Sequence, residues 1–188
     1  MQGIRYYYLL VKHYTTALPV DILHSPFVFS LYNNCMKQNA LRNRFATKVY
    51  PKWFQVITAS IRYFNYSIGY AFGFDKEEMQ QLHPNGKISD GKQINHTDDS
   101  FVNYLDYLII RCSQNITDPY PLFKQYLSSM KNESMVAISG IYNTRKTKNG
   151  WNQIKEIAEV KVTVDLFFVG LVFFRKEQRK QHFTLRLF

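Results

Sequence analysis

The sequence predicts an α/β fold with a sheet that is parallel except at its last strands. Three observations carry this expectation. Short apolar runs rich in β-branched and aromatic residues recur at 107–112, 135–141 and 160–167, with a Gly-containing run at 67–74 before them. The segments between them place apolar residues at helical spacing instead. The chain then ends in β structure over 160–167, 171–175 and 182–188 with no helical pattern between these runs, which reads as a closing antiparallel hairpin. A length of 188 residues suits one domain. Within it, residues 1–65 read as a helical N-terminal extension and 66–188 as a reduced α/β sheet region.

The elements follow in order. In His24-Ser25-Pro26-Phe27, Ser25 is a good N-cap, and Pro26 fits the first helical position, where its missing N–H is harmless. Phe27, Val28, Leu31, Tyr32 and Cys35 then share one face. Residues 40–50 form a basic connector. A second helix starts near Pro51, with Trp53, Val56, Ile57, Ile61 and Phe64 on one stripe. The run 67–74 reads as a buried strand, residues 75–82 as one or two helical turns, and His83-Pro84-Asn85-Gly86 as a turn leading into polar loop. A strand is expected at 92–95 and a firmer one at 107–112 around Leu108-Ile109-Ile110. Thr117-Asp118-Pro119 opens the next helix, with Leu122, Phe123, Tyr126, Leu127 and Met130 as its stripe. After the strand at 135–141, a helix over 143–159 turns Trp151, Ile154 and Ile157 inward. Val160, Val162 and Val164 alternate with Lys161, Thr163 and Asp165, the period of a strand with one wetter face.

Composition narrows the function classes. Hydrophobic residues make up 46% and charged residues 20%, enough for a packed core and too apolar for wholesale disorder. The net charge of +10 is unevenly spread: Asp21 is the first acidic residue and the lone one before Asp75. Arg5, Lys12, Lys37, Arg42, Arg44, Lys48, Lys52 and Arg62 oppose it over the same stretch. Such asymmetry favours contact with something anionic, beside the plainer alternative of a solvated basic face. Cys35 and Cys112 stand far apart in no metal-ligand spacing and read as reduced thiols of a cytoplasmic protein. The run Tyr6-Tyr7-Tyr8-Leu9-Leu10-Val11 is too short for a signal peptide. Residues 166–174 cover about half of a bilayer span, so no membrane insertion is expected.

A family resemblance appears in the last strands. Val162-Thr163-Val164-Asp165-Leu166-Phe167-Phe168-Val169-Gly170-Leu171-Val172-Phe173-Phe174-Arg175-Lys176-Glu177 resembles the C-terminal hairpin of a group of class I S-adenosylmethionine-dependent methyltransferase-like proteins. His182-Phe183-Thr184-Leu185-Arg186-Leu187-Phe188 is similar to its ending, His24-Ser25-Pro26-Phe27-Val28-Phe29-Ser30-Leu31-Tyr32 to a helix start, and Trp151-Asn152-Gln153-Ile154-Lys155 to its last crossover helix. The resemblance implies a Rossmann-like methyltransferase fold, here shortened. It also implies a Gly-rich cofactor turn after the first strand, where close backbone approach and helix N-terminal N–H groups are needed. The matching stretch is Ile68-Gly69-Tyr70-Ala71-Phe72-Gly73-Phe74, in which two glycines survive and three rings are expected to crowd the turn.

Further departures concern the acids. The family ends its second strand in a ribose-binding acid, yet only 18 residues separate Gly73 from Lys92. One βαβ unit needs about 30 residues, so the second and third strands cannot both be present. Asp90 is the one candidate acid, in a Gly-flanked stretch where a turn role is ordinary. Where the family has Asp-Gly-Asn-His this chain has Arg111-Cys112-Ser113-Gln114, and where it has an Asp pair this chain has Ser139-Gly140. In related metal-dependent O-methyltransferases these carboxylates hold the metal; Arg111 puts a cation there instead, so no metal is expected.

Three readings follow. The first is a methyltransferase-like protein without methyl transfer, with no catalytic residue and no cofactor. The second is an active enzyme with a rearranged site, using S-adenosylmethionine, with Gly69, Gly73 and Arg111 near the pocket at carboxyl strand ends. The third is a basic binding module in which Arg42, Arg44, Lys48 and Lys52, interleaved with Phe45, Tyr50 and Trp53, contact phosphates and stack on bases. No nucleic-acid motif accompanies them. Lost strands would leave a sheet edge that a homodimer could cover. His24, His83 and His96 fall in turns or polar loops and define no catalytic arrangement. Cys112 is either activated by Arg111 or a buried structural thiol.

Overall fold

A computed structural model of the chain describes residues 2–19, 22–38, 50–84, 87–90 and 104–186. The N-terminal extension is helical. It comprises α1 (Gln2–Thr16), α2 (Pro26–Ser30) running on into a π-helical stretch (Leu31–Lys37), and α3 (Lys52–Tyr63). Ser25 caps α2 as the sequence predicts, its hydroxyl accepting from the Val28 N–H with Pro26 in the first turn. The sheet region runs β1 (Ile68–Phe72), α4 (Lys76–Leu82), β2 (Lys87–Asp90), β3 (Leu105–Arg111), α5 (Tyr120–Tyr126) and β4 (Met130–Ser139). It continues with α6 (Arg145–Glu156), β5 (Val162–Asp165), β6 (Val169–Phe173) and β7 (Gln181–Thr184).

The seven strands form one sheet in the order β2-β1-β3-β4-β6-β5-β7. β6 runs antiparallel to both its neighbours, β4 and β5, and every other pairing is parallel. The fold is therefore a Rossmann-like α/β sheet with an antiparallel β5–β6 hairpin. This is the mostly parallel sheet with a C-terminal antiparallel hairpin that the sequence predicts; β7 lies beyond the hairpin, parallel to β5, because β6 occupies the space between β4 and β5.

Two layers cover the sheet. One face buries Ala71, Tyr107, Ile109, Ala137, Val164 and Leu171 beneath α2, α3 and α4. The other buries Leu108, Ile110, Val136, Ile138 and Val172 beneath α5 and α6, where Phe123 and Trp151 are the large side chains. The alternation within β1 decides what its rings do. Tyr70 and Phe72 point into the second layer, their rings 5.6 and 5.4 Å from that of Tyr126, and so do not crowd the turn after β1. Phe74 alone reaches that turn, packing against Trp53 on the other side at 5.9 Å.

A second difference is β2. The sequence reads 87–90 as loop, but Lys87-Ile88-Ser89-Asp90 pairs with Ile68–Ala71 as a parallel edge strand. Its burial alternates between exposed and half-buried, and Ile88 is its one apolar residue, too little for a periodic signal. The strand expected at 92–95 lies outside the described residues. Among those described, one strand stands between β1 and β3 in sequence.

Gly69 is explained by packing. It pairs in register with Tyr107 on β3, and a Cβ there would lie 2.3 Å from the Tyr107 ring. Gly69→Ala should therefore destabilise the protein by about 1–3 kcal/mol through overpacking. Urea unfolding checks it, with Tyr107→Leu expected to cost less in the Gly69→Ala background than in the wild type.

Candidate functional site

In open α/β sheets, ligands bind outside the carboxyl ends of the strands, where the strand order reverses. The chain leaves β1 for β2 on one side and reaches β3 on the other, so the reversal lies between β1 and β3. Their carboxyl ends carry Gly73 and Arg111. Gly73 has φ of 85°, and a Cβ there would stand 3.0 Å from the Arg111 carbonyl oxygen. The glycine thus lets two segments of this chain approach each other.

The Arg111 side chain closes the crevice. One guanidinium nitrogen donates to both carboxylate oxygens of Glu78, at 2.8 and 3.0 Å. The same group lies 5.2 Å from the Trp53 ring centre and 5.6 Å from that of Phe74, a cation–π arrangement. The first turn of α4 is closed by its own residues: Asp75 accepts the Glu78 N–H at 2.8 Å, and Glu78 accepts the Asp75 N–H at 3.3 Å. Glu78 therefore serves the cap and the arginine together.

A cleft lies on each side of this tie. The larger, about 720 Å³, is lined by Phe74, Asp75, Met79, His83, Ile88 and Asp90, among others. Asp90 is not a turn residue; it is the last residue of β2, in register with Ala71. His83 faces the Tyr107 hydroxyl at 2.8 Å, and burial holds its imidazole below the usual histidine range. The smaller cleft, about 390 Å³, lies along the ends of β3 and β4 between Tyr6, Trp53, Arg111, Cys112, Ser139 and Tyr142. Arg111 and Ser139 are register partners, so the two positions where the resemblance calls for carboxylates do stand side by side, without them. Asn143 Nδ2 donates to the Cys112 carbonyl at 3.3 Å and braces the same edge.

The smaller cleft rests on a buried polar network that sequence reasoning missed. Asp165, at the end of β5, accepts the Phe167 N–H at 2.9 Å and the Tyr142 hydroxyl at 2.6 Å. His13 of α1 places Nδ1 3.5 Å from the same carboxylate, an electrostatic contact too long for a good hydrogen bond, and Nε2 3.0 Å from the Leu185 carbonyl. Burial first, then the Asp165 charge, pushes the Tyr142 phenol well above the usual tyrosine range. His13 and Asp165 are buried, while Tyr142 lines the cleft. A signal was available: His13 shares a helical face with Tyr6, Leu9 and Ala17, and Asp165 is the one acid in an apolar run.

The expected site residues separate. Gly73 and Arg111 come together at the carboxyl edge, whereas Gly69 sits near the amino end of β1 against Tyr107. Arg42, Arg44, Lys48 and Phe45 lie outside the described residues. Lys52 is exposed at the start of α3. The rings expected to stack on bases are engaged within the fold: Tyr50 stacks on Phe54 at 4.8 Å, and Trp53 covers Arg111. Among the described residues no group of three His, Cys, Asp or Glu side chains is placed to hold a metal ion.

The sequence matches no protein-family model and no curated protein. Among solved structures, a putative caffeoyl-CoA O-methyltransferase from Staphylococcus aureus is similar at 12% identity and a TM-score of 0.46, covering 90% of this chain and 99% of that one. The fold is defined by the strand order above rather than by this likeness.

Burial decides the state of the thiols. It pushes Cys112 up to about 12, with the Asp118 charge adding, and Cys35 up to about 11. Arg111 does not activate its neighbour, because its charge is already engaged by Glu78. Both thiols should react with iodoacetamide near neutral pH at least about a hundredfold more slowly in the native than in the unfolded protein. For Cys112 the folded value is raised, so its contribution to stability is complete below the unfolded value of 9.0 and lost as pH rises toward about 12. Urea unfolding across that alkaline range should show the decline, shallower in Cys112→Ala.

Proposed function

We propose that this chain is a methyltransferase-like scaffold that does not transfer methyl groups. The reading draws on the resemblance at both ends of the chain and on the order of the sheet. One observation carries the loss of activity: Arg111, paired with Glu78 and covered by Trp53 and Phe74, occupies the crevice between the ends of β1 and β3. The residues there do not fit the methionine end of S-adenosylmethionine. Close approach at Gly73 is taken by the Arg111 backbone, and Asp75 already accepts a first-turn N–H of α4. The cofactor's sulfonium and ammonium are cationic, and the Glu78 carboxylate at this crevice is already paired with the arginine.

One observation favours the alternative of an active enzyme with a rearranged site. Asp90 ends the second strand and lines the larger cleft, the kind of place where an acid could take ribose hydroxyls. Calorimetric titration of the folded protein with S-adenosylmethionine and S-adenosylhomocysteine separates the two. The proposal expects no saturable heat and no rise in Tm with either. Saturable binding that weakens tenfold or more in Asp90→Asn would replace it with the active reading.

A further inference from the structure

We infer that the outward face of α1 docks on a lipid bilayer surface containing anionic phospholipid. One side of this helix is committed to the fold: Leu9, His13 and Ala17 are buried, and Tyr6 packs on Phe167 at 5.1 Å. The opposite side exposes Ile4 (80%), Tyr7 (68%), Tyr8 (64%) and Val11 (63%), with Leu18 (44%) beyond the helix end. Positions 4, 7, 8 and 11 have the spacing of one helical stripe, while Leu18 extends the apolar patch from the β-bridge it forms with Leu185. These side chains stay exposed among the described residues.

Charge selects the occupant. α1 carries Arg5 and Lys12, and no acidic residue occurs anywhere before Asp21. A second copy of the chain would bring these cations against their own counterparts with no acid on either helix, so self-pairing along the stripe is disfavoured. An anionic surface complements them. Shape then favours lipid over an acidic protein. The stripe is a convex helix face, which a protein would have to match with a groove, while a bilayer accepts a convex apolar face at its headgroup boundary. Tyrosine is well suited to that boundary, its ring among the acyl ends and its hydroxyl in water. At 15 residues α1 is about 22 Å long, too short to span a bilayer, so it lies along the surface. No helix among the described residues is long and apolar enough to cross a membrane.

The test is cosedimentation of the full chain with vesicles of phosphatidylcholine alone and of phosphatidylcholine with phosphatidylglycerol. The protein should pellet with the anionic vesicles and remain in solution with the neutral ones. Tyr7→Ser/Tyr8→Ser and Arg5→Glu/Lys12→Glu should each weaken binding about tenfold or more, with circular dichroism unchanged, Tyr7, Tyr8 and Lys12 being exposed and Arg5 half-buried. Lys176→Glu/Arg179→Glu makes the same change in net charge away from α1 and should retain most of the binding. Equal loss in that control would overturn the proposal, as would failure to bind anionic vesicles. So would a dimer in sedimentation equilibrium that dissociates in Tyr7→Ser/Tyr8→Ser, or α1-dependent binding to an acidic protein when vesicles are not bound.

Discussion

The fold closes on one buried carboxylate. Asp165 receives a backbone N–H from its own turn, the hydroxyl of Tyr142 from the segment after β4, and the edge of the His13 ring from α1. His13 in turn reaches the Leu185 carbonyl, so four separate parts of the chain meet at a single charge. A carboxylate withdrawn from water is tolerated only when such partners are present together, and removing one leaves the others exposed to the full desolvation penalty. The network therefore fixes where α1 lies and how the C-terminal strand returns to the sheet. Next to it the chain makes a γ-turn, in which the Phe168 N–H donates to the Leu166 carbonyl at 2.9 Å and the central residue, Phe167, takes φ of 70°.

The tie at Arg111 has a different character. It is half-exposed, it joins α3, β3 and α4, and it occupies the place where a doubly wound sheet ordinarily receives a ligand. Its partners are local and mutually satisfied: an acid for the charge, two rings for the flat faces, and a glycine for the backbone. Protein side chains meet across the crevice, and a cleft lies to either side of them.

Much of the architecture was legible in the sequence because its signals are local. Ser25-Pro26 marks a helix start through its own chemistry, and the β-branched runs of β3, β4 and β5 announce buried strands without reference to neighbours. β2 was illegible for the same reason: an edge strand with Ile88 as its one apolar residue takes its identity from the register with β1, not from its own pattern. Gly69 is expected at a carboxyl strand end, whereas it lies near the amino end of β1, where its missing side chain makes room for Tyr107, a partner that no spacing rule names. Arg111 and Ser139 end β3 and β4. The His13–Asp165 contact joins opposite ends of the chain and has no signature in either segment alone.

The Gly73–Arg111–Glu78 arrangement also makes three positions interdependent. An acid at 111 alone would face Glu78 beside two aromatic rings, and loss of Glu78 alone would strand the guanidinium and half of the α4 cap. A side chain larger than hydrogen at 73 would meet the Arg111 carbonyl from a left-handed backbone. Changes at these positions are therefore felt jointly, and a tolerated substitution at one depends on what stands at the other two.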